Sequence, residues 1–188
     1  MRKEFAKYSD GQLIDAIKAG DNSAFEWLVE NYEHDIAKTV KGMIGNVPVA
    51  DDVGQEVFIR FYHSVSKFRG DSSLKTYLTR IAINLSLNEL KRRKAKRWLV
   101  FDNDHREIKS ISDVHKQNDI NEMVQLALSH LETKFRSVMV LRLMQGYSTK
   151  ETSEILNLPQ GTVLSRLARG QEKLRQIILN LEKTESYE

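Results

Sequence analysis

Between Tyr147 and Leu181 the chain reads YSTKETSEILNLPQGTVLSRLARGQEKLRQIILNL, a pattern that constrains the local fold to helix, tight break, helix. Ser148 followed three residues later by Glu151 is a capping box, which satisfies backbone donors left without partners in a helix's first turn. That helix turns Thr152, Ile155 and Leu156 inward. Asn157 to Gly161 then stops it, because Pro159 lacks a backbone donor and Gly161 turns readily. In the next helix Val163, Leu167, Gly170, Leu174, Ile178 and Leu181 form an apolar stripe. Thr162, Ser165, Arg166, Arg169 and Lys173 fall opposite it. A solvated surface helix also has a polar face. Here the capping box, the break and the absence of acids from Thr162 to Gln171 point instead to a helix laid against phosphate. The layout is that of a helix-turn-helix reader of the DNA major groove.

The rest of the chain reads as helix too. Ser9 or Asp10 caps a helix through Ala19, Gly20 stops it, and Asp21 or Asn22 caps the next. That second helix, about Ser23 to Met43, carries Phe25, Leu28, Val29, Tyr32, Ile36, Val40 and Met43 at helical spacing. A third spans about Ala50 to Val65 with Val53, Val57, Phe58, Phe61 and Val65 as its apolar set, and a long fourth spans about Leu74 to Lys96. From Trp98 to Asn118 the periodicity fades into a polar, acidic stretch that reads as a flexible linker. Two helices, around Met123 to Leu131 and Phe135 to Leu143, then precede the helix-turn-helix. The expected fold is all-α: two small helical domains, 1–97 and 121–183, joined by a flexible acidic linker, 98–120.

Composition narrows the function. The 188 residues include no cysteine, which excludes disulfides, zinc-thiolate sites and a cysteine nucleophile. His34, His63, His105, His115 and His130 are scattered without metal-ligand spacing, and no Gly-rich phosphate loop occurs. No catalytic residue, metal or cofactor is expected, and an enzyme is disfavoured. The N-terminus lacks the apolar run of a signal peptide, and no stretch has membrane-spanning length, so a cytoplasmic location is expected. Net charge is only +3, but Lys91 to Arg97 places six cations in seven residues. That run suits phosphate, or simply a solvated helix end.

The first domain offers two further faces. Tyr77, Arg80, Asn84, Asn88 and Lys91 share one side of the fourth helix, opposite Leu78, Ile81, Ala82 and Leu85. An aromatic, amides and cations together can stack on bases, bond their edges and hold phosphate. The preceding loop, Gly70-Asp71-Ser72-Ser73, includes an acid, which suits an extruded base better than a phosphate backbone. On the third helix, Asp51, Asp52, Gln55, Glu56 and Arg60 form a polar face. Paired acids at a helix start ordinarily cap and complement the dipole. Beyond that, such a face fits a basic protein partner better than DNA.

These segments resemble the extracytoplasmic-function group of bacterial RNA polymerase sigma factors. DDVGQEVF (51–58), FRGDSSLKTYL (68–78) and TRIAIN (79–84) in series are similar to sigma region 2, and YSTKETSEILNLPQGTVLSRLARGQEKLR to region 4. The resemblance implies that Asp52, Gln55, Glu56 and Phe58 bind core polymerase. It implies −10 element contacts from Phe68, Arg69, Gly70, Asp71, Ser72, Tyr77, Arg80, Asn84, Lys91, Arg92 and Arg93. It implies −35 contacts from Thr162, Ser165, Arg166, Arg169 and Lys173. Leu164, where relatives often carry Lys or Arg, and Gly54, within the clamp-binding helix, depart from the family pattern. The implied partners are core RNA polymerase, promoter DNA and an anti-sigma factor. The alternative is a stand-alone helix-turn-helix regulator on duplex operator DNA, which would bind as a dimer to two half-sites without polymerase.

Overall fold

The computed structural model describes residues 5–101 and 119–185. Eight α-helices run through these residues: α1 (Asp10–Lys18), α2 (Asn22–Ile44), α3 (Val49–Ser64), α4 (Leu74–Phe101), α5 (Asp119–His130), α6 (Thr133–Met139), α7 (Thr149–Leu156) and α8 (Gln160–Glu185). Short 3-10 turns at Phe5–Lys7 and Val65–Lys67 and a π segment at Val140–Met144 complete them. No strand occurs among the described residues. The segment expected to be a flexible linker falls largely outside them.

Local chemistry sets the helix starts. Ser9 Oγ accepts from the Gln12 amide (3.3 Å) while Gln12 Oε1 accepts from the Ser9 amide (2.9 Å), a capping box on α1. Asp21 Oδ1 accepts from Ser23 and Ala24 and opens α2. The Ser148–Glu151 box opens α7 as the spacing predicts, with bonds of 2.8 and 3.2 Å. The break after α7 works differently from expectation. Asn157 takes the left-handed conformation (φ 51°), while Gly161 lies in the first turn of α8 without a positive φ. Asn tolerates that conformation, so the chain has already turned before Pro159.

The expected helix from Phe135 to Leu143 also differs, because α6 ends at Met139 and widens into the π segment. There the Gln145 amide bonds the Val140 carbonyl, five residues back (3.0 Å).

The N-terminal unit packs α2, α3 and α4 around Leu28, Ile36, Val40, Met43, Val57, Phe61, Leu74 and Leu78, each at most 1% exposed. In the C-terminal unit, Leu128, Leu131, Phe135 and Met139 meet Leu167, Leu174 and Ile177 of α8. The sequence leaves the arrangement of the two units open; in the structure they are docked. Val140, Leu141, Tyr147 and Ile155 belong to the same buried cluster as the N-terminal core. Gly42 makes the approach possible, since a Cβ there would sit 3.0 Å from Val140 Cγ2.

The polar ties are specific. Arg136 donates to the Met43 carbonyl (2.8 Å), to the Leu131 carbonyl (2.9 Å) and to that of Ser129. The hydroxyls of Thr79 and Tyr147 lie 2.7 Å apart, and Gln145 Nε2 donates to the Asp35 carbonyl (3.1 Å). Burial pushes the Arg136 guanidinium below its ordinary value, and its carbonyl partners take the place of water around it. Burial likewise raises the Tyr147 phenol, with the Thr79 hydrogen bond acting in the opposite direction.

Docking alters α4. Beside the expected Leu78, Ala82 and Leu85, it buries Thr79, Ile83, Ser86 and Glu89, whereas Ile81 is only partly buried. Thr79 and Ile83 lie on a second face that meets the C-terminal unit, Thr79 through Tyr147 and Ile83 across the cleft from α7, while Glu89 lies on the same face as Ala82 and Leu85 and bonds Arg92 and Arg93. Replacing Arg136 by Met should lower unfolding stability by about 2–3 kcal/mol, since it leaves buried carbonyls unpaired. A urea melt of the full chain, compared with wild type, measures that loss.

Candidate nucleic-acid and partner interfaces

Helix α3 rises from Pro48 with Asp51 and Asp52 in its first turn, where acids complement the dipole. Asp51 pairs with Lys41 (3.2 Å) and Glu56 with Arg60 (2.8 Å). Asp52 and Gln55 are exposed and Glu56 is partly so. Phe58, expected on this docking face, is instead 7% exposed and belongs to the core. As one of the apolar set that seats α3, it faces inward. The exposed face carries Ile59 (50%) and Tyr62 (44%), which sequence reasoning missed. Ile59 lies seven residues after Asp52 and four after Gln55, so it shares their side of the helix. Its absence from the inward apolar set was the available signal.

The loop before α4 hangs between two anchors. Phe68 is buried, its ring edge-on to Tyr77 at 5.2 Å, so both aromatics expected at the −10 element are engaged in the fold. Tyr77 also meets Phe61 (6.2 Å) and its hydroxyl lies 3.3 Å from Ser64 Oγ. Arg69, Gly70 and Asp71 are exposed and Ser72 is half-buried. Gly70 takes φ 80°, which the sharp reversal requires and L side chains resist. At the far anchor Ser73 Oγ accepts from the Thr76 amide (3.2 Å), and the Leu74 amide donates to Asp10 Oδ2 (2.7 Å).

Along α4, Arg80 and Asn84 face α7 across an open cleft of about 550 Å³, which Ile83, Leu87, Glu154 and Ile155 also line. Arg80 Nε is buried and makes no hydrogen bond among the described residues. Lys91 is exposed. Arg92 and Arg93 are not simply part of an open cationic run. Both bond the Glu89 carboxylate at 2.8 Å, and Arg93 also donates to the Ile44 carbonyl (3.1 Å). These bonds, with Arg92 foremost, hold the Glu89 carboxyl below its ordinary value.

In the helix-turn-helix, Ser165 and Arg169 are exposed on the first turns of α8, while half-buried Thr162 and Arg166 lie at the edge of the buried face that carries Val163 and Gly170. Leu164 is also exposed (53%), on a different side of the helix from Thr162 and Arg166. Lys173 stays exposed beside its surface partner Glu132 (3.3 Å) and lies over the Phe135 ring at 5.5 Å. The structure thus gathers the hydroxyl and cationic groups of early α8 on one surface and leaves Lys173 at its edge.

Residues 28–96 match the family Sigma-70 region 2, and residues 121–174 match Sigma-70, region 4. The RNA polymerase sigma-H factor of Pseudomonas aeruginosa is 32% identical over 176 residues, covering 88% of this chain and 91% of that protein. The ECF RNA polymerase sigma factor SigW of Bacillus subtilis is 32% identical over 179 residues, covering 89% and 96%. Among solved structures, CnrH in complex with the cytosolic domain of CnrY has a similar fold, with TM-score 0.68 and 24% identity over 90% of this chain and 96% of that one. The sigma factor RpoE in complex with the anti-sigma factor NepR, from Bartonella quintana, gives TM-score 0.67 and 19% identity over 82% and 96%.

Glu89 carries a pH dependence. A carboxyl depressed in the folded state contributes stability that is present above its unfolded value, about 4.3, and is lost as pH falls through the folded value. Glu89→Gln should therefore flatten the stability profile below about pH 5, which denaturant melts between pH 3 and pH 7 would reveal.

Proposed function

Because the chain belongs to the extracytoplasmic-function group of the sigma-70 family, we propose that it is a sigma subunit. It binds core RNA polymerase, recognises paired −35 and −10 promoter elements and aids strand opening. It catalyses no reaction itself. The observation that carries this reading is the presence in one chain of both family segments, 28–96 and 121–174, in that order.

In this assignment residues 1–97 act as region 2 and 121–183 as region 4. Asp52, Gln55, Glu56, Ile59 and Tyr62 form the core-polymerase surface, an apolar pair beside acids and an amide, suited to a partner with a basic rim. Arg69 to Ser72 receive a base extruded from the −10 element, and Arg80, Asn84 and Lys91 guide the melted strand. Capture in the loop offsets the few kcal/mol that unstacking costs. Thr162, Ser165, Arg166 and Arg169 read the −35 element from the major groove. Linking both readers in one chain makes the second contact intramolecular, so two weak modules suffice. Since α7 faces Arg80 and Asn84, simultaneous reading requires the two units to part, and the docked form is the resting one. An anti-sigma factor, as NepR is for RpoE of Bartonella quintana, is the expected inhibitory partner, and the chain works in the cytoplasm.

The test is reconstitution. The purified chain, mixed with bacterial core polymerase, should start transcription at discrete sites on genomic fragments preceded by a shared pair of motifs. Tight binding to duplex DNA with no core complex would instead establish a stand-alone regulator. Arg169→Ala should weaken −35 binding and reduce the salt slope by about one unit, read from promoter affinity across a salt series. Ile59→Arg should reduce core affinity by about tenfold, the worth of roughly 1.4 kcal/mol, with α8 contacts to DNA unchanged.

A further inference from the structure

Helix α1 lies before the segment that matches region 2, which begins at residue 28, and carries none of the residues assigned to promoter contact. Its first residue nevertheless reaches across the fold. The Leu74 amide, first of the orphan donors of α4, donates to Asp10 Oδ2 at 2.7 Å across a separation of 64 residues. The next cap is local, Ser73 Oγ accepting from the Thr76 amide. The start of α4 is therefore set jointly by its own serine and by a carboxylate delivered from α1.

That carboxylate is itself held in place. The Ser9–Gln12 box fixes the first turn of α1, and buried Leu13, Ile14 and Ile17 fasten the helix to the core. At the opposite end of the loop, Phe68 is packed on Tyr77. Arg69 to Ser72 span the gap between a buried aromatic and a capped helix start, and make no hydrogen bond or ion pair of their own among the described residues. A shift of the helix start would move Asp71 and Ser72 with it.

We infer that Asp10 is a positioning residue for −10 recognition: its bond to the Leu74 amide fixes where the 69–72 loop stands, making α1 part of the −10 reading apparatus. The inference rests on the reading of this loop as the base-capture loop. A charge-assisted hydrogen bond at the positive end of a helix is what Asp supplies here, and the acceptor matters more than the charge because it sets geometry.

The experiment uses full-chain holoenzyme on a promoter recovered by the reconstitution. Permanganate reactivity of unpaired −10 thymines is read on that promoter and on single-base −10 variants, alongside core affinity. Asp10→Ala should lose about tenfold in open complex, the scale of one charged hydrogen bond, and narrow the preference for the correct −10 base at unchanged core affinity. Asp10→Asn, which keeps an acceptor, should recover most of both. Asp10→Glu, which keeps the charge but displaces it by one methylene, should resemble Asp10→Ala and remains informative if the alanine variant folds poorly. Wild-type base preference in Asp10→Ala and Asp10→Glu would overturn the inference alone. So would an even loss across all −10 sequences accompanied by lost core affinity, which marks a plain folding defect. Failure of the wild-type holoenzyme to open any promoter would overturn the loop reading and this inference together.

Discussion

The buried C-terminus of α2 is the constraint from which the rest of the arrangement follows. The last carbonyls of a helix have no partner within it, and water cannot reach those of Met43 and Ile44, whose residues are 0% and 5% exposed. Two arginines complete them. Arg93 comes from α4 in the same unit, 49 residues on, and Arg136 comes from α6 in the other unit, 93 residues on. Both place positive charge at the negative end of the helix dipole. The same atoms that finish α2 thereby tie α4 along the N-terminal unit and dock the C-terminal unit onto it.

Helix α4 bears the consequences. With neighbours on two sides it buries small hydroxyl residues, Thr79 and Ser86, where a free-standing domain would place solvated side chains. Thr79 meets Tyr147 with a hydrogen bond, a contact worth about 1 kcal/mol. The apolar part of the interface is larger but non-directional, so the hydroxyl pair and the Arg136 bonds provide its register. A protein that must spread two readers along one promoter gains from an interface of this kind, specific in register and not closed by any covalent link.

Much of the fold was legible because helix starts are decided by near neighbours. Ser148 and Glu151 lie three residues apart and cap α7 as their spacing predicts, and of the expected α8 stripe Val163, Leu167, Gly170 and Leu174 face inward, while Ile177 rather than Ile178 packs on the core beyond them. The candidate surfaces were legible in part. Ser165, Arg169, Asp52, Gln55 and Asp71 are exposed where DNA or a partner would meet them. Phe58, Phe68 and Arg93 are instead engaged within the fold, since a side chain suited to a ligand is equally suited to an internal partner of the same chemistry, while Lys173 stays exposed beside its surface partner Glu132. Ile59 was passed over for the opposite reason: apolar residues are assigned inward by default, and only solvent exposure distinguishes the exception.

By itself the sequence determined the all-helical class, the capped starts of its helices, the helix-turn-helix and the two segments that mark its family. Those properties depend on spacings of a few residues, and a linear chain displays such spacings directly. Only the tertiary structure decided that the two units dock, that Arg93 and Arg136 finish α2, that Asp10 caps α4, and which aromatics face inward. The first three of those outcomes pair a backbone group with a side chain dozens of residues away. Burial removes the water that would otherwise satisfy the backbone group, so the fold must bring a partner to it, and which partner arrives is a matter of packing rather than of order along the chain.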